Sequence, residues 1–170
     1  MSQDIFLKYT YTKEEYKRAV VLHYKNVLEI KKYIIFSIFL LLFSLLCLYY
    51  FGYSIIWIST IILSLLLLFM VFSAFFILPS FVYNRNPKLK DEYYLTFRKD
   101  GIGFKTDKID SNLEWSIYKT IVEDKQFFLL YTDKFYFTVI PKRAFINNEE
   151  IDDFRILLKQ NISGNHKFII

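Results

Sequence analysis

Apolar and polar residues alternate in three successive patterns along this chain, and each predicts a different kind of element. Ile5-Phe6-Leu7-Lys8-Tyr9-Thr10-Tyr11 reads as one strand. Thr12 followed three positions on by Glu15 is a capping-box pair, so a helix starts there. Tyr16, Ala19, Val20, His23, Val27 and Ile30 then recur at helical spacing and give that helix a packing stripe. Such a stripe is expected to rest on the protein's own second domain, with the headgroup layer the lesser alternative. No Gly or Pro interrupts the run into the next segment, so one continuous helix is expected to lead into it.

That next segment changes character completely. Between Lys32 and Arg85 there is no Asp, Glu, Lys, Arg or His. A bilayer core is crossed by about 20 helical residues. The stretch is about 50 residues long, and one straight helix of that length would reach roughly 75 Å. Two helices fit, from Tyr33 to Phe51 and from Ile55 to Leu78, with Gly52-Tyr53-Ser54 as the turn and Pro79 ending or kinking the second. A soluble helical hairpin would carry a polar stripe, and this one has only hydroxyls. Ser37, Ser44, Ser59, Thr60, Ser64 and Ser73 can return these to backbone carbonyls one turn back. Lys31 and Lys32 on one flank, and Arg85, Lys88 and Lys90 on the other, place both termini in the cytoplasm of a multi-pass cell-membrane protein. Tyr49, Tyr50, Tyr53 and Trp57 then fall at the outer boundary, and Tyr33, Phe36, Phe81 and Tyr83 at the inner one. A cleaved signal peptide is not expected, because over thirty residues with several charges precede the first span.

From Tyr93 onward the period shortens to that of strands. Tyr93 to Phe97, Ile102 to Lys105, Trp115 to Val122, Phe127 to Tyr131 and Phe135 to Ile140 are the expected strands. A turn lies at Lys99-Asp100-Gly101 and a polar loop runs through Asp110-Ser111-Asn112; Thr132-Asp133-Lys134 closes the last hairpin and Pro141 ends it. Asn147-Asn148 caps a helix that opens on Glu149, Glu150, Asp152 and Asp153 and buries Phe154, Leu157 and Leu158. The expected architecture is an α+β membrane protein: residues 1–32 as a cytoplasmic strand and helix, residues 33–84 as a transmembrane hairpin, and residues 85–170 as a small antiparallel roll. Five strands closed by a C-terminal helix give that roll a pleckstrin-homology-like order, which fixes no function. Within the last hairpin both faces are apolar, so one must line the interior and the other must be covered.

Two segments carry a resemblance. Trp115-Ser116-Ile117-Tyr118-Lys119-Thr120-Ile121-Val122-Glu123-Asp124-Lys125, followed by Phe128-Leu129-Leu130-Tyr131, and Ile140-Pro141-Lys142-Arg143-Ala144-Phe145 resemble the C-terminal domain of the YcxB-like bacterial membrane proteins. The resemblance implies the same plan of strand, helix, two spans and a β-rich cytoplasmic domain. It implies no catalytic residues, because the family is known by its fold and has no established activity.

Composition narrows the function further. The 170 residues are 54% apolar, 21% aromatic and 23% charged, which excludes disordered, collagen-like and disulfide-built chains. Seven basic and four acidic residues lie up to Lys32, and fifteen and thirteen from Arg85 onward. The net charge of +5 is therefore juxtamembrane, and the nearly balanced C-terminal part has no nucleic-acid footprint. His23 and His166 stand apart, the first read as part of its helix's packed face and the second as part of a frayed tail. Cys47 is alone in a span and reads as packing. Asp107, Asp110 and Glu114 lack the spacing and Gly of a calcium loop. No phosphate loop, nucleophile elbow or cofactor motif occurs, and no charge within the spans suggests transport. No enzymatic activity, cofactor or metal is expected. Lys142 and Arg143 are the candidate contact with anionic headgroups or a protein partner, with Trp115, Pro141 and Phe145 as structural core around them. The expected function is non-enzymatic binding at the inner membrane. An immunity role against a membrane-acting toxin is the alternative, a membrane-bound enzyme ranks third, and a homo-oligomer is left open.

Overall fold

The structure, a computed structural model, describes residues 4–26, 30–162 and 165–168, the last four as backbone. It divides into two units, residues 16–85 and residues 1–15 with 86–170.

The first unit is helical. Helix α1 (Lys13–Asn26) starts on the expected capping box. Thr12 N–H donates to Glu15 Oε2 at 2.9 Å, and Glu15 N–H donates to Thr12 Oγ1 at 3.2 Å. Ala19, Val20 and His23 are buried on its stripe. Tyr16 meets the ring of Tyr83, and Tyr24 meets Phe75. Val27, and the expected continuity into the next helix, lie outside the described residues.

Helices α2 (Ile30–Phe51) and α3 (Ile55–Phe76) follow, each 22 residues long. At about 1.5 Å per residue each spans roughly 33 Å, the thickness of a bilayer core. Gly52 sits at φ +78°, where a side chain would be strained, and Ser54 caps α3 by accepting from Ile56 N–H. Ser37, Ser44, Ser59, Thr60 and Ser64 all donate to carbonyls three or four residues back. Ser37, Ser44, Cys47 and Ser64 are buried, whereas long rows of Leu, Ile and Phe are uncovered within the chain. Both helices are long and apolar enough to cross a membrane. Helix α3 ends at Phe76 and the helix is broken at Ile77, just before Pro79, as expected of a residue that ends or kinks a helix. Pro79 itself stands in the first turn of a separate helix α4 (Leu78–Arg85), where its missing N–H costs nothing.

The second unit is a two-sheet fold. Strands β1 (Ile5–Tyr9), β2 (Tyr93–Phe97), β3 (Ile102–Lys105) and β4 (Asp110–Leu113) form one antiparallel sheet in that order. The second sheet has the order β7-β6-β5-β8, from β5 (Thr120–Glu123), β6 (Phe127–Tyr131), β7 (Phe137–Pro141) and β8 (Asn165–Phe168). Helix α5 (Asn148–Asn161) lies between β7 and β8, with Asn147 as its N-cap.

Several expectations are corrected here. The N-terminal strand, grouped by the sequence with residues 1–32, pairs with β2 from Ile5↔Phe97 to Tyr9↔Tyr93 and so completes the C-terminal sheet. Asp110-Ser111-Asn112 is an edge strand and not a loop. Trp115–Ile117 is a 3₁₀ turn that precedes β5, where a strand from Trp115 was expected. The stretch around His166 is not frayed; its backbone runs parallel to β5, with His166 opposite Ile121.

The core is aromatic. Phe97, Phe128 and Phe145 pack their rings on Phe154 of α5 at centroid distances of 4.7, 5.1 and 5.2 Å. Trp115 is buried beside Phe97 and donates its indole N–H to Arg98 O at 2.9 Å. All five residues of β6 are buried, which settles how its two apolar faces are treated. Tyr9 and Tyr11 both donate their hydroxyls to Val139 O, at 2.8 and 2.7 Å, and so bridge the two sheets. Desolvation raises both phenol pKa values above the ordinary 10, so these donors stay protonated.

Candidate functional site

The basic pair picked out by the sequence is split by the backbone that carries it. Lys142-Arg143-Ala144 is a 3₁₀ turn, in which successive side chains diverge by about 120°. Buried Pro141 closes β7 just before it, and Lys142 N–H donates to Gln126 O at 2.8 Å; Phe145 fixes the far end by burying its ring. Lys142 and Arg143 therefore serve two different places.

Arg143 reaches the N-terminal segment. Its guanidinium pairs with Glu15, through Nη2 to Oε2 at 2.8 Å and through Nε to Oε1, and also donates to Thr10 O at 2.8 Å. Glu15 is thus shared between capping α1 and holding Arg143. The guanidinium, helped by the Thr12 donors, keeps its carboxyl below the ordinary 4.5.

Lys142 joins a cluster that the sequence reading did not single out. Its ammonium lies 2.5 Å from Glu123 Oε1 and 5.0 Å from the centroid of Phe128. Arg155 of α5 donates to the same oxygen through Nη2 at 2.6 Å and Nε at 2.8 Å, and also pairs with Asp152. Glu123 is buried, and its Oε2 accepts no hydrogen bond among the described residues. A carboxylate left half-satisfied in this way is a poor investment in stability alone.

This cluster forms one wall of an open cavity of about 550 Å³ lined by Lys125, Lys142, Asn148, Ile151, Asp152 and Arg155. The four helical residues recur at i, i+3, i+4 and i+7, so a single face of α5 supplies them. Lys125 stands in the β5–β6 turn, held there by Asp124 Oδ1, which accepts from Gln126 N–H at 2.8 Å and Phe127 N–H at 2.7 Å. Lys125 has no ion partner among the described residues. Three cations against two carboxylates leave the wall with one net positive charge. No group of three His, Cys, Asp or Glu among the described residues is placed to hold a metal ion.

A signal for Glu123 was present in the sequence. Ile121 and Glu123 share one face of a strand, so an acid falls at an inward position and needs a cation from elsewhere. Which cations would arrive depends on α5 packing across the sheet, and no local pattern encodes that.

Comparisons relate this segment to known proteins. Residues 97–158, which hold Glu123, Lys125, Lys142 and Arg155, match the model of the YcxB-like proteins. The chain is 28% identical over 112 residues to the uncharacterised protein YcxB of Bacillus subtilis (strain 168). That match covers 65% of this chain and 58% of the relative's length. No solved structure matches significantly. The segment that builds both the aromatic core and the cationic cavity, residues 97–158, is thus the part of the chain that is similar to a YcxB-like domain.

Proposed function

We infer that this is a non-enzymatic bacterial membrane protein, anchored by α2 and α3 with both termini cytoplasmic. Its pleckstrin-homology-like roll recognises an anionic lipid headgroup in the cavity beside α5. The cavity carries this reading: Lys125, with no ion partner among the described residues, faces the same space as Lys142 and Arg155, whose positions are fixed by Glu123. A phosphate that entered would meet ammonium and guanidinium donors already oriented, so little ordering cost remains. The membrane part of the reading is supported by the uncharged 22-residue helices, whose exposed Leu, Ile and Phe surface requires an apolar surrounding. The pleckstrin-homology-like part is supported by a four-stranded antiparallel sheet, the antiparallel β5-β6-β7 sheet and the helix that follows it. Such a protein acts by binding and needs no nucleophile or general base.

The test is native mass spectrometry of the full chain purified in detergent with phosphatidylglycerol. Each exposed basic side chain near a headgroup contributes about 1 kcal/mol, or about fivefold in affinity. Lys125→Ala should lower phosphatidylglycerol occupancy by about that factor, while Lys99→Ala, in an exposed turn far along the chain, should leave it unchanged. Equal occupancy in wild type and both variants would eliminate the headgroup site.

A further inference from the structure

The β6–β7 hairpin ends in a feature that the cavity does not explain. The last paired residues are Tyr131 and Phe137, and residues 132–136 project beyond them. Phe135 and Tyr136 lie in this projection, 66% and 71% exposed, beyond the last ladder pair. The tip is nevertheless ordered by its own bonds. Asp133 Oδ1 accepts from Phe135 N–H at 2.6 Å and from Tyr136 N–H at 3.0 Å, and Thr132 N–H closes the loop on Tyr136 O at 3.1 Å. Asp133 thereby spends its charge on the backbone, while Lys134 stands over the Phe135 ring at 6.0 Å. The sequence of the tip gives it a basic end and two aromatic rings, one of them carrying a hydroxyl.

We propose that the Lys134-Phe135-Tyr136 tip is a second membrane contact, with both rings seated in the headgroup layer of the lipid bilayer. The inference rests on the membrane-anchored reading above. Water solvates the Tyr136 hydroxyl but hydrates the two ring bodies unfavourably, whereas the interface accepts an apolar ring, a phenol hydroxyl and an ammonium together. A narrow convex tip suits a soft layer that closes around it, and a protein partner of ordinary interface size would need a broader face. The chain between α4 and β2 is residues 86–92 alone, so a bilayer crossed by α3 is always within the roll's reach.

The full chain with Cys47→Ala, reconstituted in vesicles of phosphatidylethanolamine and phosphatidylglycerol, provides the test. A polarity-sensitive fluorophore is attached through Tyr136→Cys, and in separate samples through Leu42→Cys in mid-α2 and Asp107→Cys in the exposed β3–β4 turn. The expected result is quenching at 42 by lipids brominated in mid-chain and at 136 by lipids brominated near the headgroup, with at least twofold less quenching of 136 by aqueous iodide than of 107. Lipid quenching at 42 but not at 136 would overturn this contact and leave the anchor reading intact. Shielding of 136 from iodide without lipid quenching would assign the tip to a protein surface and also overturn it. Absence of lipid quenching at 42 would overturn the anchor reading, and the inference with it.

Discussion

Lys142 and Arg143 are chain neighbours whose charges do different physical work, and their substitutions should differ accordingly. The Lys142 side chain is 15% exposed and its partner Glu123 is 6% exposed, so removing the ammonium leaves a buried carboxylate with less compensation. Lys142→Ala should cost about 2 kcal/mol, the range for a hydrogen bond to a charged group. The Arg143 side chain is 50% exposed and screened, so Arg143→Ala should cost under about 1 kcal/mol. Chemical denaturation of the full chain in one detergent, followed by Trp fluorescence, measures both; equal losses would contradict the split. The Arg143 pair has a pH signature of its own. The folded carboxyl of Glu15 is held below the ordinary 4.5, so its contribution is complete above that value and is lost as pH falls through the folded value. Stabilities of wild type and Arg143→Ala should therefore differ at neutral pH and converge in acid. Trp115→Ala acts on the core instead. It removes the ring beside Phe97 and leaves Arg98 O without its indole donor, at a cost of about 3–5 kcal/mol. The expected readout is protease sensitivity in residues 86–162.

At the level of elements, the parts legible in the sequence were those whose determinants are local. The capping box at Thr12, the Gly52-Tyr53-Ser54 turn and the Asn147 cap each depend on residues within one turn, and each is found where the sequence places it. The elements that escaped were set by partners far along the chain. Among the described residues strand β4 pairs only with β3, so its outward residues need not be apolar and read as a loop. Strand β8 is parallel to β5 and is fixed by a crossover through α5, which a run ending His166-Lys167-Phe168 does not announce. Trp115-Ser116-Ile117 alternates like a strand, but Tyr118 N–H bonds back to Trp115 O and curls it into a turn. The cavity was half legible for the same reason: Lys142 is in the basic pair, whereas Lys125 and Arg155 join it only through the sheet and α5. Strand β1 has the sharpest consequence. It covers the full length of β2, and Tyr9 and Tyr11 tie it to Val139. A fragment from residue 86 to 170 therefore lacks an edge strand and two bridging hydroxyls, and leaves β2 open to intermolecular pairing. Deleting residues 1–11 from the full chain should speed amide exchange in β2 and β3 while α2 stays protected. Unchanged exchange in β2 would show that β1 is dispensable.

For the whole molecule, the pairing of β1 with β2 bears on membrane topology in a way that charge counting does not. Ile5 to Tyr9 precede α2, and Tyr93 to Phe97 follow α3, yet they are hydrogen-bonded neighbours in one sheet. Strands separated by a bilayer cannot pair, so on the membrane-anchored reading proposed above the two flanks share a side and the segment between them crosses an even number of times. Two spans satisfy this, and one span or three would not. On that reading the flanking Lys31, Lys32, Arg85, Lys88 and Lys90 would choose the cytoplasmic side, because basic residues near the ends of spans are retained there. The turn at Gly52-Tyr53-Ser54 carries no charge to oppose that choice. A membrane-impermeant thiol reagent on intact cells should label Tyr53→Cys but not Lys99→Cys, each in a Cys47→Ala background, and both should react after permeabilisation. Labelling of Lys99→Cys alone would keep the shared side and reverse the orientation. Labelling of both in intact cells would break the link between the strand pairing and a two-span hairpin.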